Sequence, residues 1–155
     1  MLDVKIKKIF EDTKLPFRAT EGSSGYDLYS YETVTLDINS IALVSTGISM
    51  EIPLGYEAQV RPRSGLAIKK GITVLNTPGT IDSDYRGEVK VILINLGKEK
   101  VTLNRFERVA QLVFQKIENI NFILDDNLKD SSRGSGGFGS SGVWFYNSII
   151  FSINY

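Results

Sequence analysis

Apolar residues recur at every second position through long stretches of this 155-residue chain, and no other feature of the sequence constrains its fold as tightly. Successive side chains of a strand point to opposite faces, so period-two alternation marks half-buried strands rather than helices. Val34, Leu36 and Ile38 alternate with Thr35 and Asp37, and Ile48, Met50 and Ile52 alternate with Ser49 and Glu51. Tyr56, Ala58 and Val60 alternate with Glu57, Gln59 and Arg61, while Ala110, Leu112 and Phe114 give a later strand one wholly apolar face. Gly87 to Leu96 is more continuously apolar, as a central strand covered on both faces would be. Turn chemistry separates these runs at Pro53-Leu54-Gly55, Thr77-Pro78-Gly79, Asp82-Ser83-Asp84 and Leu96-Gly97-Lys98. A single short helix is expected from Gly65 to Lys70, with Ser64 as its N-cap and Gly71 as its stop. Many short strands with almost no helix predict an all-β sandwich, jelly roll or barrel.

Composition narrows the chemistry. The chain has 18 Lys plus Arg against 18 Asp plus Glu, a formal net charge of zero, so it lacks the basic excess of a phosphate-backbone binder. It has no Cys and no His, which removes disulfides, thiol nucleophiles, Ser-His-Asp triads and imidazole-ligated metals. Catalysis must therefore use carboxylates, Arg, Lys, Ser, Tyr and backbone amides. Met1-Leu2-Asp3-Val4-Lys5 enters charge alternation directly, and no apolar run is long enough to cross a bilayer. The expectation is a cytoplasmic protein, or a nuclear or organellar one if the source is eukaryotic, that binds neither nucleic acid nor membrane. A folded domain is expected over residues 1–124. Residues 125–142, rich in Gly, Ser and Asp, read as a flexible arm, and 143–155 as a charge-free aromatic extension.

Five short stretches carry candidate chemistry. Gly25-Tyr26-Asp27-Leu28 sets an acid between apolar residues, which fits either a satisfied structural aspartate or a metal-water ligand. Arg61-Pro62-Arg63-Ser64-Gly65 brings guanidinium groups to the start of the short helix, where an anion is favoured, although a solvated turn is the simpler reading. Gly79 to Gly87 reads as a hairpin-like stretch between two apolar strands, in which Asp82 follows Ile81 at a strand end. In a chain without His, a carboxylate held there is the natural general base for water. Arg108-Val109-Ala110-Gln111 opens an apolar strand. Gly134, Gly136 and Gly139 spell a dinucleotide fingerprint, but no strand precedes them and no helix follows. An Arg and a Phe inside those glycines instead suit an arm that closes on a nucleotide.

In order and spacing, the five stretches resemble the motifs of the trimeric dUTPase family, over roughly residues 4–142. That resemblance implies a jelly-roll (β-clip) homotrimer with shared active sites, hydrolysing dUTP to dUMP and pyrophosphate with Mg²⁺. It implies Asp82 as the carboxylate that activates water and Tyr85 as the residue under the sugar. Asn76, Thr80, Ile81 and Lys90 match the hairpin that reads uracil, and Arg63, Ser64, Gly65 and Gln111 match the phosphate-binding positions. Arg133, Phe138 and Gly139 match the closing arm, and Asp27 a carboxylate reaching the metal through water. Limiting uracil in DNA and supplying dUMP for dTTP synthesis follow from the same resemblance. A dCTP deaminase shares the fold and the Arg63-Ser64 similarity, but the Asp82 to Tyr85 hairpin and the glycine arm favour dUTP hydrolysis. A non-catalytic nucleotide sensor would not need Asp82. The family pattern ends near Gly142, and residues 143–155 are read either as a neutral tail or as a segment that docks and restrains the arm.

Overall fold

The computed structural model describes residues 2–137 and Ser140. The chain divides into two units, Met1–Asn119 and Ile120–Tyr155. Among the described residues the first unit holds every strand and the one helix. The strands are β1 (Lys5–Lys8), β2 (Tyr26–Tyr29), β3 (Val34–Leu36), β4 (Ile41–Ser45), β5 (Ile48–Glu51), β6 (Tyr56–Arg61), β7 (Ile72–Val74), β8 (Gly79–Ile81), β9 (Lys90–Asn95), β10 (Val101–Leu103) and β11 (Arg108–Lys116), with α1 (Ser64–Lys70) between β6 and β7. They pair as a four-stranded sheet β2-β11-β6-β8, a three-stranded sheet β4-β9-β7 and the two-stranded pairs β1-β5 and β3-β10. All the pairings are antiparallel, as the all-β jelly-roll expectation requires.

Alternation explains which side chains meet in the core. Leu28 of β2, Val60 of β6 and Leu112 of β11 share one buried cluster with Val44 of β4, Val91 and Leu93 of β9 and Val74 of β7. Asn95, at the buried end of β9, is fully enclosed but satisfied. Its Nδ2 donates to the carbonyls of Leu36 (3.1 Å) and Glu99 (2.8 Å), and its Oδ1 accepts from the Gly97 amide (2.9 Å).

The other face of the β4-β9-β7 sheet is apolar as well. Ile41 lies opposite Ile94 and Leu43 opposite Ile92, while the Leu75 amide just past β7 donates to the Ile92 carbonyl. Ile41 and Leu43 are each 59% exposed, so the expected covering of β9 on its second face is partial within this chain.

The helix starts differently from expectation. Arg63, not Ser64, occupies the N-cap, in extended conformation and without a side-chain cap hydrogen bond. Its carbonyl accepts from the amides of Leu66 and Ala67, so Ser64 is already the first helical residue. The Arg63 guanidinium is drawn away toward Asp27. Gly71 stops the helix as expected, at φ 67°.

Glu88, just before β9, joins two elements. Its Oε1 accepts from the Ser45 hydroxyl (2.6 Å) and the Gly47 amide (2.8 Å), and Lys90 Nζ lies 3.5 Å from Oε2. Burial alone would push this carboxyl up, but the two donors and the ammonium outweigh it and hold it below the usual glutamate range. A depressed folded-state value gives stability that is complete above the unfolded value and lost as pH falls through the folded one. Melting temperature is therefore expected to fall as pH drops below about 4. Glu88→Gln should flatten part of that slope in melts at stepped pH, and an unchanged slope would contradict the assignment.

The second unit is Ile120–Tyr155. Residues 120–137 form neither helix nor strand, and Phe122 and Leu124 are almost wholly exposed. Its local order is a turn in which the Gly134 amide donates to Ser131 O (3.0 Å) and Arg133 Nε donates to Gly136 O (2.7 Å).

Candidate active site

A cavity of about 530 Å³ opens where β2, β11 and β6 lie side by side. Asp27, Arg61, Arg63, Arg108 and Gln111 line it, with Gly25 at its wall. Three guanidinium groups against one carboxylate make the lining net positive, which suits an anion with several charged oxygens.

Strand geometry decides which side chains reach this cavity. Asp27 lies opposite Gln111, and Gln111 lies opposite Arg61 on the other side, so the three share one face of the sheet. Arg108 stands three residues before Gln111, and a regular strand would turn it to the opposite face. Instead Arg108 pairs with Tyr29 and Ala110 with Leu28, which leaves Val109 as an extra residue. This β-bulge brings Arg108 back to the face of Gln111 and Asp27. Arg61 and Arg108 belong to two of the candidate stretches, and the structure adds both to the cavity lining beside Arg63. The three-residue spacing of Arg108 and Gln111 was the available signal, and the bulge that makes it useful is a pairing between distant segments.

The cavity groups hold one another. Asp27 Oδ1 faces Arg63 Nε at 3.1 Å and Oδ2 faces Arg108 Nη1 at 3.1 Å, with the carboxylate only 14% exposed. Arg63 Nη1 also donates to the Arg108 carbonyl (2.9 Å). Gln111 Nε2 donates to Pro62 O (2.9 Å). A Cβ on Gly25 would lie 2.0 Å from Gln111 Oε1, so glycine there is what lets the amide lie flat against β2. Ser64 and Gly65 sit on the exposed first turn of α1, and a Cβ at Gly65 would meet open space.

The second group of expected residues gathers around β8. Strands β8 and β9 follow each other in sequence but enter different sheets, so the hairpin expected over Gly79 to Gly87 is splayed. β8 pairs with β6 and is the edge of its sheet, which leaves the outer backbone groups of Thr80 and Ile81 outside the ladder. The Asn76 amide packs over Gly79, where a Cβ would lie 3.2 Å from Nδ2. Asp82 is exposed directly after β8, its carbonyl accepting from the Tyr85 amide (3.2 Å). The Tyr85 hydroxyl donates to Glu88 O (3.0 Å), and its ring covers Gly87 so closely that a Cβ there would lie 2.4 Å from the hydroxyl oxygen. Arg86 Nη1 donates to the carbonyls of Ser83 and Tyr85 and closes the loop. Lys90 is exposed at the start of β9.

The two groups are separate in one chain: neither Asp82, Tyr85 nor Lys90 lines the arginine cavity. Arg133 belongs to the second unit, and Phe138 and Gly139 lie outside the described residues, as does 143–155. Among the described residues no three carboxylates converge on a metal position. Asp27 is the one carboxylate of the cavity and both its oxygens face guanidinium groups. That donor set fits an ion carried in on phosphates with its own waters, not one caged by protein.

Known proteins match this chain over nearly its whole length. A family model described as dUTPase matches residues 11–142. A deoxyuridine 5′-triphosphate nucleotidohydrolase from Bdellovibrio bacteriovorus is 54% identical over 144 residues, 91% of this chain and 97% of the relative. One from Hydrogenobaculum sp. is 52% identical over 139 residues, covering 89% and 96%. Among solved structures, the dUTPase of Staphylococcus bacteriophage 80alpha with dUpNHpp superposes with a TM-score of 0.84 at 26% identity, covering 91% of this chain and 99% of that one. Among the described residues no helix is long and apolar enough to cross a membrane.

Proposed function

The chain belongs to the dUTPase family, and from that premise we propose that it hydrolyses dUTP to dUMP and pyrophosphate by attack of an Asp82-activated water on the α-phosphorus. The observation that carries the reading is the pairing of a three-arginine cavity with an exposed carboxylate at the end of a splayed edge strand. Arg63, Arg108 and Arg61 face the triphosphate, whose oxygens form charge-assisted hydrogen bonds with guanidinium groups. Gln111 and the exposed start of α1 at Ser64 and Gly65 add neutral donors.

At the other end, the free edge of β8 offers the backbone of Thr80 and Ile81 to the uracil ring, with Asn76 and Lys90 beside it. Tyr85, held through its hydroxyl and by its contact with Gly87, forms a flat wall under the sugar that leaves no room for a 2′-hydroxyl. Asp82 takes the water proton as the new P–O bond forms. The bond from the α-phosphorus to the bridging oxygen breaks, and pyrophosphate leaves with that electron pair. Asp27 is the cavity carboxylate that would reach a magnesium ion carried in on the triphosphate, through water, and such an ion would supply charge neutralisation. On the arm, Arg133 reaches the γ-phosphate, and Phe138 and Gly139 cover the base.

Because Asp82 and Tyr85 stand apart from the arginine cavity, the complete site takes residues from more than one copy. The apolar outer face of β4 and β9 supports self-association, which we assign as a homotrimer with shared sites. A cytoplasmic enzyme of this kind removes dUTP before it enters DNA and yields dUMP for dTTP synthesis. Incubation of dUTP with Mg²⁺ should give dUMP and pyrophosphate in equal amounts. Formation of dUDP and phosphate instead would place the attack elsewhere on the triphosphate and contradict the mechanism.

A further inference from the structure

Among the described residues, two other than glycine have positive φ: Asn39 at 60° and Phe106 at 66°. Asparagine tolerates the left-handed region. A phenylalanine does not, because its Cβ crowds the backbone, and such a conformation persists only where the surroundings over-determine it. Around Phe106 they do. Its amide donates to Ser30 O (2.7 Å), and the fully buried Ser30 returns its own amide to Glu107 O (2.9 Å). Its ring lies beneath the Arg105 guanidinium (4.3 Å) and the Lys14 ammonium (5.0 Å), with Tyr31 edge-on at 6.2 Å. Arg105 is fixed in turn by Asp12 (2.6 Å) and by the Tyr31 carbonyl (2.9 Å), and Tyr31 stacks on Phe10.

The residues that follow connect this turn to the cavity. Glu107 accepts from the Asn104 amide (3.0 Å) and from Lys70 Nζ (3.0 Å) in the last turn of α1. Arg108 comes next, its carbonyl accepting from Arg63 at the helix cap and its guanidinium on Asp27. Helix α1 is thus tied at both ends to residues 107 and 108. We propose that Phe106 is a positioning residue for the phosphate cavity: the left-handed turn it maintains sets Arg108 directly, and sets Arg63, Ser64 and Gly65 through the two ties on α1. It touches no substrate. The inference rests on the dUTP-hydrolysing reading above.

Two variants of the full chain test it. Phe106→Ala removes the ring contacts but keeps a Cβ that disfavours positive φ, whereas Phe106→Gly removes the same contacts and adopts positive φ freely. The expected result is a KM for dUTP raised about five- to tenfold in the alanine variant with kcat within about twofold, and a KM restored to within about twofold in the glycine variant. An unchanged KM in the alanine variant, or equal increases in both, would overturn the proposal. Thermal melts with inorganic tripolyphosphate read the cavity without turnover: the stabilising shift should shrink in Phe106→Ala and return in Phe106→Gly. Equal shifts in all three proteins would overturn the positioning role. If the parent chain left dUTP intact, the functional reading would fall, and the melts would still decide the inference.

Discussion

Replacing Asp82 with asparagine should lower kcat for dUTP by about 10²- to 10⁴-fold, the span over which a positioned general base acts. The substitution keeps the shape of the side chain and removes its capacity to take a proton. Asp82 is exposed at the end of β8, and its turn is closed through the backbone by the Tyr85 amide, so the fold does not depend on the carboxylate. Stability should stay within about 0.5 kcal/mol, as for surface positions away from special contacts. KM should change less than about threefold, because the proposed reading assigns binding to the arginines and the splayed edge. A steady-state assay with a parallel thermal melt separates these terms. A kcat within tenfold of the parent would remove Asp82 from the chemistry.

The second large effect is expected at Asp27, and its form tells two roles apart. The carboxylate lies between Arg63 and Arg108 at 3.1 Å from each. Exposed ion pairs contribute about 0–1 kcal/mol, and breaking a buried one costs about 3–5 kcal/mol. With Arg108 half exposed, Asp27→Asn should cost about 2 kcal/mol, between those limits. Two unpaired guanidinium groups would then repel each other and leave the cavity geometry, so kcat/KM should fall roughly 10²-fold, about the penalty of a small misplacement at a reacting centre. If Asp27 acts by ordering the arginines, the melting temperature drops without magnesium present and the magnesium dependence of turnover stays as in the parent. A raised magnesium requirement with an unaffected metal-free melt would contradict the ordering role and leave Asp27 acting on metal-bound water alone.

Particular residues show what the sequence made legible. Alternation marked β3, β5, β6 and β11 because each buries one face, and Gly71 marked the helix stop because a left-handed residue was needed there. β1 escaped that reading: its Lys-Ile-Lys-Lys run is exposed throughout and is a strand through its pairing with β5. Ser64 has the chemistry of a cap, but Arg63 holds that position, its guanidinium drawn to Asp27. The family motifs were readable as a set, but the link between Asp27 and Arg108 spans 81 positions and depends on the Val109 bulge. Periodicity carries no trace of such a bulge. The splaying of β8 from β9 was hidden for the same reason, since it depends on which distant strand each one joins.

The most direct test of the account is substrate discrimination by the parent chain: pyrophosphate release with Mg²⁺ from dUTP, UTP, dTTP, dCTP and dATP, with ammonia measured in parallel. Release is expected from dUTP alone. The Tyr85 wall would reject the ribose of UTP, the edge of β8 would reject the methyl of dTTP and the exocyclic amines of dCTP and dATP, and no ammonia would form. Comparable release from UTP or dTTP, or ammonia from dCTP, would contradict it.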